Sequence, residues 1–396
     1  MADSVRVYTA LATAAMAFAM LPPFLLGTFA PLLIAEFGIS RPLLGVLVTA
    51  GYGVAAALSL VVGQAVDAVG ARRATMALFG ISTCALALFA SAPHYAVLVV
   101  TVALGGLPQA LANPATNKMI AGAVPPERRG TLIGIKQSGV QLGTFAAGLP
   151  LAGLAEASDW RTAVWVAAGS AAAGCAAAWF LPADPRAPRK PVLKVTLKVV
   201  STVWWLLGFS VLLGTGLAAV NTYVVLYATQ ELGVGVQAAG TLLAVLGIVG
   251  VVGRIGWSRL VSRGRAAGRV LMPLGIGAAL ATVVLLGADF AGAGWAWVAV
   301  LGIGAFAVAA NAVTMLAVTA LSAPEHLGRN SALVSAGFFA GLAAGPPLFA
   351  WLVDAGGYSA GWLLVAAEFA LAGVVGWLWP RIRDDGGNRR AAHTDS

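Results

Sequence analysis

The chain has 396 residues, of which 60% are apolar and only 10% are Asp, Glu, Lys or Arg. A soluble domain carries roughly 25% charged residues, so this composition excludes a soluble enzyme and a disordered chain. The two cysteines, Cys84 and Cys175, both lie in apolar runs, which excludes a disulfide scaffold. The net charge of +9 would suit a nucleic-acid-binding protein, but the placement of the cations points to a membrane instead.

Twelve apolar stretches are each long enough to cross a bilayer as a helix, which takes about 20 residues. No strand-length alternation interrupts them, so we predict an all-α integral membrane protein with twelve transmembrane helices. The first stretch is too long for a signal peptide and has no small-residue cleavage site, so it counts as a span. The predicted spans are residues 8–35, 43–66, 74–92, 95–122, 130–155, 162–181, 200–229, 238–258, 270–288, 295–321, 330–353 and 362–380.

The cations are concentrated on one side of these spans. If both termini are cytoplasmic, 19 of the 24 Lys and Arg residues lie on the cytoplasmic side and two, Arg41 and Arg161, lie outside. The positive-inside rule therefore predicts a multi-pass protein of a bacterial inner (plasma) membrane with both termini in the cytoplasm. The same rule accounts for the basic charge without any nucleic-acid partner.

A polar segment divides the chain close to its middle. Residues 1–181 are expected to form an N-terminal bundle of six helices, 182–199 a cytoplasmic proline-rich linker, 200–380 a C-terminal bundle of six helices, and 381–396 a cytoplasmic tail. The two bundles are related by an internal repeat. Pro126-Glu127-x-x-Gly130 recurs 198 residues later as Pro324-Glu325-x-x-Gly328, and Asn113 recurs as Asn311. Each repeat holds an even number of spans, so both copies cross in the same sense and form two pseudo-symmetric bundles with a site between them.

The segment Gly63-Gln-Ala-Val-Asp67-Ala-Val-Gly70-Ala-Arg72-Arg73 resembles the signature that the major facilitator superfamily carries between spans 2 and 3. The resemblance extends over residues 8–380. It implies the twelve-helix fold of that family and a central cavity lined by spans 1, 2, 4, 5, 7, 8, 10 and 11. The strings NPATNK and GIKQSGVQLG are similar to the cyanate-permease-like branch.

The signature predicts a gate at the cytoplasmic ends of the spans. By resemblance, Asp67 docks near the N-terminus of span 11 (328–330) and near Arg72 or Arg128 when that side is shut, since a helix N-terminus attracts a carboxylate. Arg72 and Arg73 could instead be topology anchors. The residues predicted to act in gating are Gly63, Asp67, Gly70, Arg72, Arg73, Arg128 and Arg254.

Lys136 is the cation deepest inside a predicted cavity span, and charges within a membrane are usually functional. It is either part of an anion site or a structural residue that snorkels or pairs. Amides at i, i+4 and i+8 form a polar stripe on neighbouring span 4, and ammonium plus amides suit a small carboxylate. The predicted substrate-binding residues are Lys136, Gln137, Gln141, Asn113, Asn117, Gln109, Asn221, Asn311, Tyr52 and Tyr223.

Acids are scarce at membrane depth, and Glu368 in span 12 is the only one well inside a span. Proton-coupled exporters of cationic drugs usually need such an acid in the cavity, and the Gly-Pro motif of drug antiporters is missing from span 5. We therefore predict a monomeric secondary transporter for a small organic anion, working in a lipid bilayer by alternating access. The alternative is an efflux transporter of neutral or amphipathic metabolites or drugs. No sequence motif indicates an enzyme, a cofactor or a metal site.

Overall fold

The computed structural model describes residues 2–59, 61–123, 126–181, 201–262, 267–322 and 327–394. All regular elements within these ranges are helical, as expected for backbone that must satisfy its hydrogen bonds inside a bilayer. Two short π-helical turns, 147–151 and 304–308, interrupt the α-helices. The helices are α1 (Ala2–Thr28), α2 (Ala30–Phe37), α3 (Arg41–Leu58), α4 (Val62–Val69), α5 (Ala71–Ala90), α6 (Tyr95–Ala123), α7 (Pro126–Gln137), α8 (Gly139–Ala146), α9 (Ala152–Ala157), α10 (Trp160–Trp179), α11 (Ser201–Gln230), α12 (Val236–Ser262), α13 (Ala267–Leu286), α14 (Ala288–Ala291), α15 (Gly294–Ile303), α16 (Ala309–Leu321) and α17 (Leu327–Thr394).

Ten helical stretches of the described chain are long and apolar enough to cross a membrane. The predicted fifth span is not among them, because it is divided into α7, α8, a π-turn and α9. One break lies at Ser138, and the π-turn contains Pro150, which has no backbone N–H to donate. The expected total of twelve helices stays a prediction.

The predicted spans 11 and 12 form the single long helix α17, which is broken by non-helical backbone at Gly356 and Gly357. Gly357 has a φ of 76°, a conformation that glycine adopts without steric cost. Gly345 and Phe369 lie on opposite sides of this break, yet they approach neighbouring residues of α11. The chain therefore folds back here, and we call 327–355 the first arm and 358–394 the second arm of α17. The second arm continues beyond residue 380, where the polar tail was expected to begin.

The N-terminal half of the fold comprises α1–α10 and the C-terminal half comprises α11–α17. The linker predicted at 182–199 lies outside the described residues. The core of the C-terminal half includes a cluster of buried rings in which Tyr223 stacks on Phe349 and Trp362 packs against both Phe349 and Tyr227. These rings pack α11 against both arms of α17.

The two ends of the bundle can be named by their charged residues. The "Arg41 end" carries Arg41 at the start of α3 and Asp354 at the end of the first arm of α17. The "Asp67 end" carries Asp67 in α4 and Lys118 near the end of α6.

Candidate functional site

Polar contacts join the two halves at the Arg41 end. The Arg41 guanidinium donates two hydrogen bonds to Gln230 Oε1, at 3.2 and 2.7 Å, and its Nη1 lies 3.6 Å from a carboxylate oxygen of Asp354. The Tyr358 hydroxyl donates to the same Gln230 oxygen at 2.9 Å. Since Arg41 belongs to one half and the other three residues to the other, this network holds the Arg41 end together.

Close helix approaches close the same end. The Thr49 hydroxyl donates to the backbone carbonyl of Ala343 across the halves at 2.6 Å. A Cβ placed on Gly148 would lie 2.4 Å from the carbonyl oxygen of Gly240 in α12, so only glycine allows the two backbones to come this near. The two halves are thus in backbone contact on both flanks of the interface.

Lys136 lies within a hydrogen-bonded cluster between α6 and α7. Its side chain is fully buried, and Nζ donates to Asn113 Oδ1 at 3.0 Å and to Thr116 Oγ1 at 2.7 Å. Gln137 Nε2 donates to the same Asn113 oxygen at 3.0 Å. Lys136 therefore reaches toward α6 and does not snorkel to a membrane surface. Thr116 was not predicted as a site residue, although it lies three residues after Asn113 on the same face of α6.

A break in the helix at Ser138 supplies the link to the other half. Ser138 is the N-cap of α8, and its carbonyl accepts a backbone hydrogen bond from the Leu142 amide of that helix. The Gln137 carbonyl lies before this helix and is left for another donor. Arg254 of α12 donates to that carbonyl at 2.9 Å. Arg254 Nε is buried and has no partner among the described residues. Lys136 thus belongs to the same turn of α7 that Arg254 contacts from the other half.

Three further predicted amides are buried with unpartnered atoms. Both polar atoms of Gln109, Oε1 of Gln141 and Oδ1 of Asn221 lack hydrogen-bond partners among the described residues. Gln141 packs against Gly250 of α12, at the interface of the halves. Buried amides normally find partners, so unpartnered ones mark places for water or a polar ligand.

The other predicted cavity residues have different surroundings. Asn117 is exposed and Asn311 is half-buried, and neither joins the Lys136 cluster. Tyr52 is buried and packs against Phe339, with ring centroids 6.3 Å apart. Tyr223 is fully buried and its hydroxyl donates to the backbone carbonyl of Arg41 at 2.8 Å, so it belongs to the closed Arg41 end.

Asp67, one of the predicted gating residues, forms an ion pair with Lys118 at the Asp67 end. The Lys118 ammonium lies 3.3 Å from Asp67 Oδ1 and also donates to the Asp67 backbone carbonyl at 2.9 Å. The Asp67 side chain is 82% exposed, so this carboxylate remains largely open to solvent while it pairs with Lys118.

The remaining gating residues have the following places. Gly70, with a φ of 89°, makes the turn between α4 and α5. A Cβ on Gly63 would meet open space. Arg72 lies over the ring of Trp179, and Arg73 is exposed. The side chain of Arg128 lies outside the described part of the chain.

The described residues contain no group of three or more His, Cys, Asp or Glu that could hold a metal ion. The site instead offers hydrogen-bond donors and two cations. Such a set can bind and orient a polar or anionic solute.

Comparison with known proteins gives the same fold. The chain is 27% identical over 321 residues to an uncharacterized MFS-type transporter of Mycobacterium tuberculosis, across 79% of this chain and 71% of that protein. It superposes on a D-xylose-proton symporter with a TM-score of 0.76 and 14% identity, covering 94% of this chain and 97% of the other.

A second solved structure is similar to the same extent. A bacterial homolog of the human lysosomal transporter Spinster, solved in an inward-facing and occupied conformation, gives a TM-score of 0.75 with 16% identity and covers 96% of this chain and 97% of its own. The family model described as Major Facilitator Superfamily matches residues 7–317 and again 267–394. The resemblance seen between spans 2 and 3 is confirmed, and the chain belongs to the Major Facilitator Superfamily of membrane transporters.

Proposed function

We propose that this transporter moves a small organic anion by alternating access, with the anion bound between the halves beside α7. The observation that carries the proposal is that Lys136 belongs to one turn of α7 and Arg254 of the other half donates to the carbonyl of the next residue, Gln137. Their hydrogen-bond partners are the neutral oxygens of Asn113, Thr116 and Gln137. No described carboxylate lies within 4.0 Å of either cation. Two cations without a countercharge at membrane depth create a positive potential that favours an anionic solute.

The hydrogen-bond pattern indicates which groups meet the anion. Asn113 Oδ1 accepts from both Lys136 and Gln137, so the amide is oriented with its Nδ2 donor turned away from them. Arg254 Nε is likewise an unused donor. A carboxylate between these two donors would form charge-assisted hydrogen bonds, which are roughly twice as strong as neutral ones. In this arrangement Lys136 orients the Asn113 amide and adds positive charge on the far side of Asn113 from the anion, without touching the anion.

The conformation supports an alternating-access cycle. The contacts of Arg41, Thr49 and Gly148 close one end, while Asp67 at the other end is largely exposed. The excess of cations at the Asp67 end supports a cytoplasmic position for that end in a bacterial inner membrane, so this conformation is the inward-facing state of the proposed cycle. When the cytoplasmic side shuts, Asp67 would exchange its exposed pairing with Lys118 for a site near the N-terminus of α17. We propose that one monomer completes this cycle.

A thermal-shift panel on the detergent-purified protein tests the anion site. Ligands that bind the folded state raise its stability, by about 2.7 kcal/mol at 100 times Kd. We expect small carboxylates to raise the melting temperature of the wild type and not that of Arg254→Gln or Lys136→Gln. Lys118→Gln is the matched control, because Lys118 pairs with Asp67 at the Asp67 end and should leave the shift unchanged.

Two results would contradict the proposal. Carboxylate shifts that persist in both Arg254→Gln and Lys136→Gln would place the anion elsewhere. A shift produced only by neutral or cationic amphiphiles, and unaffected by Arg254→Gln, would favour the efflux function instead. Counterflow of the stabilising carboxylate in proteoliposomes would then separate transport from binding alone.

A further inference from the structure

A buried carboxyl group lies in the second arm of α17, away from the anion site. Glu368 is only 7% exposed, and its Oε2 has no hydrogen-bond partner among the described residues. The polar side chain that faces it is Thr215 of α11. The Thr215 hydroxyl already donates to the carbonyl of Leu212 at 2.8 Å, so its single proton is committed. The neighbouring Phe369 packs on Gly216 and seals α17 against α11.

No countercharge reaches this carboxyl group from the helices packed around it. Residues 201–230 of α11, 270–286 of α13 and 330–353 of the first arm contain no Lys, Arg, His, Asp or Glu. The titratable groups of α11 are Tyr223 and Tyr227, whose hydroxyls are bonded to the Arg41 carbonyl and to Asp289. An ionised carboxylate here would be buried without compensation, which is costly at membrane depth.

The packing connects Glu368 to the closed Arg41 end. Thr215 lies between Glu368 and the first arm of α17, where a Cβ on Gly345 would be only 2.1 Å from the Thr215 carbonyl oxygen. Two residues earlier, the carbonyl of Ala343 accepts the hydrogen bond from Thr49 of the other half. A change in the packing of Glu368 on Thr215 therefore acts on a stretch of α17 that holds the halves together.

We propose that Glu368 is a proton-binding site that couples a proton to the transport cycle. The carboxylate takes up a proton and forms its O–H bond when α11 and the second arm pack as seen here. When the Arg41 end opens and this packing loosens, the O–H bond breaks and the proton passes to water. Proton binding at Glu368 does not depend on the charge of the substrate. The proton site can therefore be refuted while the anion site is supported, and the anion site can be refuted while the proton site is supported.

The test measures the opening of the Arg41 end as a function of pH without any substrate. Nitroxide labels are placed at the exposed positions Ser91 and Ala291, one on each half, after both native cysteines are replaced by alanine. Electron–electron resonance then reports the distance across the Arg41 end. We expect a longer-distance population to grow with rising pH in the wild type and to be lost at every pH in Glu368→Gln, which mimics the protonated group.

A control variant makes the result specific. Glu156→Gln removes an exposed acid at the Arg41 end of α9 and should keep the pH dependence of the wild type. Glu368→Gln with the wild-type pH dependence, or a wild-type distance that does not change with pH, would overturn the proposal.

Discussion

Gly148→Ala should open the Arg41 end of the transporter. Gly148 lies in the N-terminal half and meets Gly240 of the C-terminal half with nothing between their backbones. A methyl group there would lie 2.4 Å from the Gly240 carbonyl oxygen and 2.7 Å from the backbone nitrogen of Ala244, whereas ordinary contacts begin at 3.4 Å. The halves must separate by about 1 Å at this point, because the obstructing atoms are backbone and cannot rotate away.

The magnitude follows from the cost of overpacking, about 1–3 kcal/mol for a well-packed site. That cost falls on the conformation closed at the Arg41 end, because the contact joins two halves that part there in the proposed alternating-access cycle. A difference of this size changes the ratio of the two conformations by about 5-fold to 150-fold. The substitution should therefore convert a minor population that is open at the Arg41 end into a readily detected one.

The Ser91 and Ala291 label pair measures this shift directly. Gly169→Ala is the matched control, because Gly169 is exposed on α10 and a Cβ there meets nothing within 4 Å. We expect a new longer distance in Gly148→Ala and an unchanged distance in Gly169→Ala. An unchanged distance distribution in Gly148→Ala would refute the view that this glycine pair sets the closure of the halves.

Three other substitutions test separate parts of the structure. Asp67→Asn should change the free energy of unfolding by less than about 1 kcal/mol, since the Asp67 carboxylate in the ion pair with Lys118 is largely exposed. The same substitution should slow transport in proteoliposomes, and a large loss of melting temperature would contradict this expectation. Arg41→Gln should lengthen the distance across the Arg41 end in the labelled protein, and an unchanged distance would show that its hydrogen bonds there are dispensable. Hydrogen bonds from the Thr162 hydroxyl and then from the Thr162 amide lower the pKa of Asp159, which caps α10. A carboxyl group with a lowered pKa adds stability above its unfolded pKa and loses it as pH falls through the folded value, so Asp159→Ala should lower the melting temperature at neutral pH and match the wild type in acid.

The sequence by itself determined the class and the family of the fold. Runs of apolar residues interrupted by cationic loops allow few structures in a bilayer, because every backbone polar group must be satisfied within a helix. The local signature from Gly63 to Arg73 then sufficed for the family. The sequence also placed a connection between residues 353 and 362, where the backbone breaks at Gly356 and Gly357. It did not show the break at Ser138, since a backbone break inside an apolar run depends on the neighbouring helices.

In the candidate site, too, some contacts were predictable from the sequence and others were decided by the tertiary structure. Lys136, Asn113 and Gln137 were predicted as neighbours and do meet, because they lie on spans 4 and 5, which follow each other in the chain and pack side by side. The pairing of Arg254 with the Gln137 carbonyl and the burial of Glu368 against α11 could not be foreseen. These contacts join helices that are far apart in the chain. The depth and rotation of one helix against another depend on close glycine contacts between them, which a local stretch of sequence does not reveal. Tertiary structure alone decided which polar residues face each other across the halves.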